Sequence, residues 1–403
     1  MNNFRDDFPL LTRRYHDQAL IYFDNAATAP KPAVVINAVN DFYSQHNANV
    51  HRGQNFLAQE ATDLYENARH EVAKFIGADP KEIIFTAGTT MSLNLVARTW
   101  GLANLQRGDV IAVTGAEHHS NLLPWMALRD ELGLTLQYLE INDDGTWNEA
   151  SLQALWAEPK LKLLAITQAS NVLGSYYDLK PILAEARARK IITVVDSAQS
   201  IVHQPLKVKD LACDFLAFGS HKLFGPSGVG VLYGRSELLT TMPTFLVGGG
   251  MIDEVTRDSF TTAEAPDKFE AGTPNIEGAI GLGEACRYLT QITWPVITKR
   301  ESELSKYFTQ ALAPLDFVKL LGTSTNRLPL FAMSFTDMHP HDVADLLGER
   351  GIITRAGQHC AAPLHDQLKL RATLRASLAF YNTEAEIDTF IIALKEIHQL
   401  LNS

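Results

Sequence analysis

Between residues 20 and 235 the chain alternates between short apolar runs and stretches with helical spacing. The runs at 82–86, 109–114, 135–139, 161–167, 191–196, 215–218 and 230–233 are apolar along most of their length rather than at every second residue. Strands of that kind are covered on both faces. Helical patterns at 91–100, 122–132 and 179–189 fall between them, so the spacing predicts an α/β fold on a mainly parallel sheet. Such sheets bind ligands beyond the carboxyl ends of their strands.

The pattern changes near Trp294 and Pro295, where a helix is expected from about residue 298, followed by a smaller α+β domain. The reading divides the chain into a large domain, 17–290, and a small one, 291–403 together with 1–16. The last helix, 384–401, carries Ile387, Phe390, Ile391, Leu394, Ile397 and Leu401 at helical spacing, a face expected to pack in the core. With 403 residues, 46% of them hydrophobic, there is enough apolar surface for both cores.

A formal charge of -11 and the lack of a dense Lys/Arg run argue against nucleic acid and anionic membrane as partners. The start, MNNFRDDFPLL, lacks the apolar run of a signal peptide, and no stretch has the length and hydropathy of a membrane helix. The expectation is a soluble, cytoplasmic protein. The cysteines, Cys213, Cys286 and Cys360, are too few and scattered for a disulfide framework or a metal cluster, so no metal is expected. Cys213 and Cys286 read as inert core thiols.

Several segments carry side chains suited to chemistry. In VVDSAQ (194–199), Asp196 ends an apolar strand, where an isolated carboxylate is costly unless it meets a cation. A protonated pyridine nitrogen is one such cation, and Gln199 could donate to a phenolic oxygen on the same ring. Lys222, in SHKLFGPSGVG, follows an apolar run. It is either a snorkelling lysine or a buried amine able to form a Schiff base. Thr89 and Thr90 open a helix after Gly88, which makes a cup for a phosphate or simply an ordinary N-cap. His118 follows a strand, where an imidazole could stack on a planar cofactor and move a proton, and Asn171 could touch a ring substituent. Arg375 lies among apolar residues and needs an anion, either an internal carboxylate or a substrate. Cys360 sits beside His359, with Arg355 nearby, a setting that favours a thiolate.

The segments YFDNAATAPKP, NVHRG, TAGTT, EHHSNLLPW, ASNVLG, VVDSAQ, GSHKLFGPSGVG, FEAGTPN, RAGQHCAAP and LRASLAFYNT, in this order from about residue 20 to the C-terminus, resemble the cysteine desulfurases of the class V aminotransferase superfamily. The resemblance is strongest to the group that also acts on selenocysteine and cysteine sulfinate. It implies a pyridoxal-phosphate (PLP) transferase of fold type I, with a large seven-stranded, mainly parallel sheet domain and a smaller α+β domain. It further implies that Lys222 holds PLP, Asp196 pairs with the pyridine nitrogen, Gln199 contacts the phenolic oxygen and His118 stacks on the ring. Thr90 and His221 would hold the phosphate, supported by Thr89 and by Thr273 from the second subunit of a homodimer. Asn171, Arg375 and Arg355 would fix the carboxylate of L-cysteine, and Cys360 would take the sulfur and pass it to an acceptor protein. Gly219 and Ser220 stand in the reverse of the family's usual order, which removes a hydroxyl three residues before the lysine and leaves Ser220 as its candidate replacement. A selenocysteine lyase or sulfinate desulfinase uses the same residues, and a PLP-fold scaffold without turnover is the rival of another class. No G-x-G-x-x-G follows an early strand, which disfavours an NAD oxidoreductase.

Overall fold

A computed structural model describes residues 4–402 except Arg52, which lies in the NVHRG segment. All seven expected strands form one sheet, here β1 (Ile83–Thr86), β2 (Val110–Thr114), β3 (Thr135–Leu139), β4 (Leu161–Thr167), β5 (Ile192–Asp196), β6 (Phe215–Gly219) and β7 (Gly230–Gly234). Their spatial order is β1-β7-β6-β5-β4-β2-β3. Strands β2 to β6 pair in parallel, whereas β7 runs antiparallel to both β6 and β1. Strands β2, β6 and β7 are buried at every residue, as expected of strands covered on both faces. One face packs beneath a cluster that includes Leu164, Ile166 and Phe218, the other beneath one that includes Ile111, Trp125 and Phe215.

A second sheet lies in the C-terminal part: β8 (Val318–Leu320), β9 (Leu330–Phe335), β10 (Arg355–Gly357) and β11 (Thr373–Ser377), in the antiparallel order β8-β9-β11-β10. Phe308, Phe331 and Phe390 stack at its centre, with ring centroids 4.1 and 5.5 Å apart. The segment Ile21–Tyr22 pairs in parallel with Ile352–Ile353, and Ile21 and Phe23 pack into this second core. Phe8 instead packs against Phe224, Tyr288 and Tyr381 of the first core.

Two expectations about helices are corrected. The helix expected from about residue 298 begins at Trp294 and runs to Leu312. Pro295 sits in its first turn, where the missing N–H has no helical partner to lose. The last helix, Glu384–Leu401, buries Ile387, Phe390, Ile391, Leu394 and Ile397, but Leu401, its final residue, is exposed. Among the described residues no helix is long and apolar enough to cross a membrane.

Candidate active site

The parallel strands end together, and the loops that follow them meet residues of the second sheet around a cavity of about 810 Å³. It gathers Thr89, Thr90, His118, Asn171, Asp196, Gln199, His221 and Lys222 from the large sheet's loops with Arg355, His359, Cys360 and Arg375 from the C-terminal part. Ser220 does not reach it. Its side chain is fully buried, its Oγ finds no partner among the described residues, and it packs so tightly on Gly225 that a Cβ there would lie 2.2 Å away. Thr273 does not line the cavity either. It lies along an adjoining cleft with Phe245 and Phe269.

Asp196 ends β5 and accepts a bond from the backbone N–H of Ala198 at 2.9 Å. It forms no ion pair among the described residues, and burial pushes its carboxyl up while Lys222 pulls it back. Lys222 closes the turn Ser220–Lys222 directly after β6. Burial lowers its amine to about 8 against the opposing charge of Asp196. The carbonyl of His221, one residue earlier, accepts from Ala29 N, Thr28 Oγ1 and Lys31 Nζ, which fixes the turn from the DNAATAPKP side.

His118 has a defined proton arrangement. Its Nδ1 accepts from the backbone N–H of Ser120 at 3.0 Å, so the neutral ring carries its proton on Nε2. Burial, with Lys222 second, lowers its pKa to about 3. The Ser120 hydroxyl in turn bonds Thr90 Oγ1 at 2.7 Å, so His118 and the helix start are tied together. One residue before His118, Glu117 is buried and accepts from Thr114 Oγ1, Asn121 Nδ2 and the backbone N–H of Thr167. Burial pushes its carboxyl up to about 8. Glu117 carries the same sequence signal as Asp196, a carboxylate at or just past the end of a buried strand, here beside the more conspicuous His118.

On the opposite wall Arg375 is buried, donating from Nη1 to the carbonyl of Asn171 at 3.0 Å and pairing through Nη2 with Asp24 at 3.2 Å. Its Nε has no partner among the described residues. Burial lowers the pKa of Arg375 and raises that of Asp24, and their attraction opposes both shifts. Asn171 gives its side-chain N–H to the carbonyl of His359 at 2.6 Å, and Gln199 gives its own to Ala26 O at 2.9 Å. His359 is buried and held neutral, its pKa far below the ordinary value through burial and then Arg375. It therefore brings no positive charge to Cys360, contrary to the expectation that it favours the thiolate. Cys360 itself is exposed, whereas Cys213 and Cys286 are buried.

Residues 21–390 match the family model for aminotransferase class V. The chain belongs to the class V aminotransferase family. Among its class V relatives is a probable cysteine desulfurase of Xylella fastidiosa, 45% identical over 98% of this chain and 95% of the relative. The apo structure of a cysteine desulfurase from Thermococcus onnurineus NA1 superimposes with a TM-score of 0.94, at 40% identity and covering 99% of this chain and 98% of that one. The cysteine desulfurase CsdA of Escherichia coli, solved in an S-sulfonic acid form, gives 0.91 at 41% identity, covering 100% and 99%. The cofactor of class V aminotransferases is PLP. The residues present fit it. Among the described residues Asp196 is a buried acid without an ion pair, Lys222 is an amine of lowered pKa in the same cavity, and Thr89 and Thr90 open a helix, whose first N–H groups have no partner within the helix and suit an anion.

Proposed function

We propose that the protein removes sulfur from L-cysteine, releasing L-alanine and keeping the sulfur as a persulfide on Cys360. The observation that carries this reading is the loop of Cys360, which brings the one exposed thiol to the cavity shared by Lys222 and Asp196. Thr89, Thr90 and His221 are the residues to hold the PLP phosphate, Asp196 its ring nitrogen and Gln199 its phenolic oxygen. Thr273 joins them from the partner subunit of a homodimer, and Ser220 supports the lysine turn from beneath. When bound, PLP supplies an electron sink for charge that develops on the carbon beside the substrate amine.

Arg375, Arg355 and Asn171 orient the substrate carboxylate, with Asp24 holding the guanidinium of Arg375 in place. Lys222, its amine lowered to about 8, is neutral often enough near pH 7 to take the proton from that carbon. His118 offers a proton from Nε2 without first having to become charged. The thiolate of Cys360 attacks the substrate sulfur, so an S–S bond forms as the C–S bond breaks. The electron pair of the C–S bond stays with carbon, which takes up one proton to become the methyl group of alanine. A thiol on so short a loop hands its sulfur to a visiting acceptor protein, and three unpaired cysteines suit a cytoplasmic setting.

The test is to incubate the PLP-loaded protein with L-cysteine and quantify alanine together with persulfide on the Cys360 peptide. Both should form in a first turnover, and added acceptor protein should then sustain alanine release. Alanine formed with no persulfide on Cys360 overturns the reading.

A further inference from the structure

His359 and Cys360 are consecutive non-glycine residues in the left-handed region, with φ of 51° and 57°. Residues in that conformation persist only where the surroundings over-determine them. The bonds that do so here reach across from the large domain. The carbonyl of His359 accepts from Asn171, and that of Cys360 from the backbone N–H of His119 at 2.7 Å. On the other side of the thiol, the ring Nε2 of His119 accepts from the backbone N–H of Ala362 at 3.1 Å. Ala362 opens the helix Ala362–Gln367, and such first-turn N–H groups have no partner within their own helix. His119 therefore bonds the chain both at Cys360 and two residues beyond it.

The loop that carries His119 is itself firmly anchored. Glu117 ties it to Thr114 at the end of β2 and to Thr167 at the end of β4, and Asn121 bonds the same carboxylate. The bond to Ala362 needs an unprotonated Nε2, hence a neutral His119 ring with its proton on Nδ1.

We propose that His119 is a positioning residue that clamps the strained Cys360 loop to the large domain and so sets the approach of the thiol to the substrate sulfur. The proposal rests on the reading of Cys360 as the thiol that takes the sulfur. It assigns His119 no contact with substrate or cofactor.

The test compares PLP-loaded wild type with His119→Phe, which cannot accept the bond, and with His119→Gln, whose amide oxygen can. In His119→Phe, hydrogen exchange at the Ala362 amide should speed up, cofactor absorbance should stay, and kcat with L-cysteine should fall about tenfold or more at near-constant KM, as small misplacements do. His119→Gln should recover most of both changes. If the phenylalanine variant fails to fold, His119→Asn, whose amide stops short of Ala362, replaces it. Faster exchange with wild-type kcat makes the clamp merely structural, and a lower kcat with unchanged exchange removes the clamp as the cause. Either result overturns the proposal. Should Cys360→Ser keep wild-type desulfuration, the underlying reading fails separately, and the exchange at Ala362 still reports whether the clamp exists.

Discussion

Arg375 meets Asp24 at 3.2 Å through Nη2, while its Nε has no partner among the described residues. The sequence offered an internal carboxylate or a substrate as the anion for this arginine, and the geometry leaves room for both, since one edge of the guanidinium is paired and the residue still lines the cavity. Arg375→Ala should bind PLP normally but lose a charge-assisted contact of about 1.5–3 kcal/mol, roughly 10- to 100-fold in kcat/KM for L-cysteine. Asp24→Asn should chiefly lower the melting temperature, because it leaves a buried cation short of its counter-charge. Steady-state kinetics and thermal melts of the two variants separate the roles. Wild-type saturation by cysteine in Arg375→Ala makes the arginine purely structural.

Lys222 gives a pH signature. Its amine titrates near 8 in the fold and near 10.5 when unfolded. Between those values the unfolded chain binds more protons, so the stability of cofactor-free protein should rise with pH from about 8 to 10.5, while below 8 the whole cost of burying the cation is present. The same neutral fraction should govern PLP capture, whose rate should increase about tenfold per pH unit below 8 and level off above it. Rapid-mixing absorbance measures that rate, and borohydride reduction followed by peptide mapping should place the label on Lys222. A pH-independent capture rate, or a label on another lysine, counts against the assignment.

Glu117 is expected to act on stability in the opposite direction along the pH scale. With its carboxyl raised to about 8, the fold binds the proton that the unfolded chain has released above about 4.5. Its contribution is thus full below 4.5 and disappears as pH rises through 8. Glu117→Gln should flatten this slope in chemical denaturation. Glu117→Ala should cost at least about 2 kcal/mol, since it leaves Thr167 N and Asn121 Nδ2 without their acceptor.

What could be read in the sequence follows from the range over which each signal acts. Unbroken apolar runs gave the large sheet nearly to the residue, because burial on both faces is written in consecutive side chains. The strand ends then located Asp196, Lys222 and His118 on one rim. Contacts between distant segments left no such trace. Asp24 and Arg375 meet across most of the chain, Ile21–Tyr22 joins a strand of only two residues, and His119 reaches Ala362 over a separation of 243 positions. Ser120 holds His118 through a backbone N–H, which any residue but proline carries, and only its hydroxyl bond to Thr90, 30 positions away, calls for a serine.

The last prediction concerns the three thiols. Cys213 and Cys286 are buried, and burial pushes both thiols well above the ordinary range, so neither should react while the protein is folded. Cys360 is exposed at the cavity. Iodoacetamide should therefore modify Cys360 alone in the native protein, and all three thiols once it is unfolded. In the proposed reaction the proton beside the substrate amine goes to Lys222 and not to a thiol, so Cys360→Ser should keep the absorbance changes that follow addition of cysteine. It should lose persulfide formation and steady alanine release from cysteine. Selenocysteine, whose carbon–selenium bond is weaker, gives an internal control, because residual turnover on it in Cys360→Ser would show that the rest of the site is intact. Mass spectrometry of the labelled peptides and alanine quantification read these outcomes together. If Cys360→Ser releases alanine from cysteine at the wild-type rate with an acceptor present, the exposed thiol is a bystander and the sulfur leaves by another route.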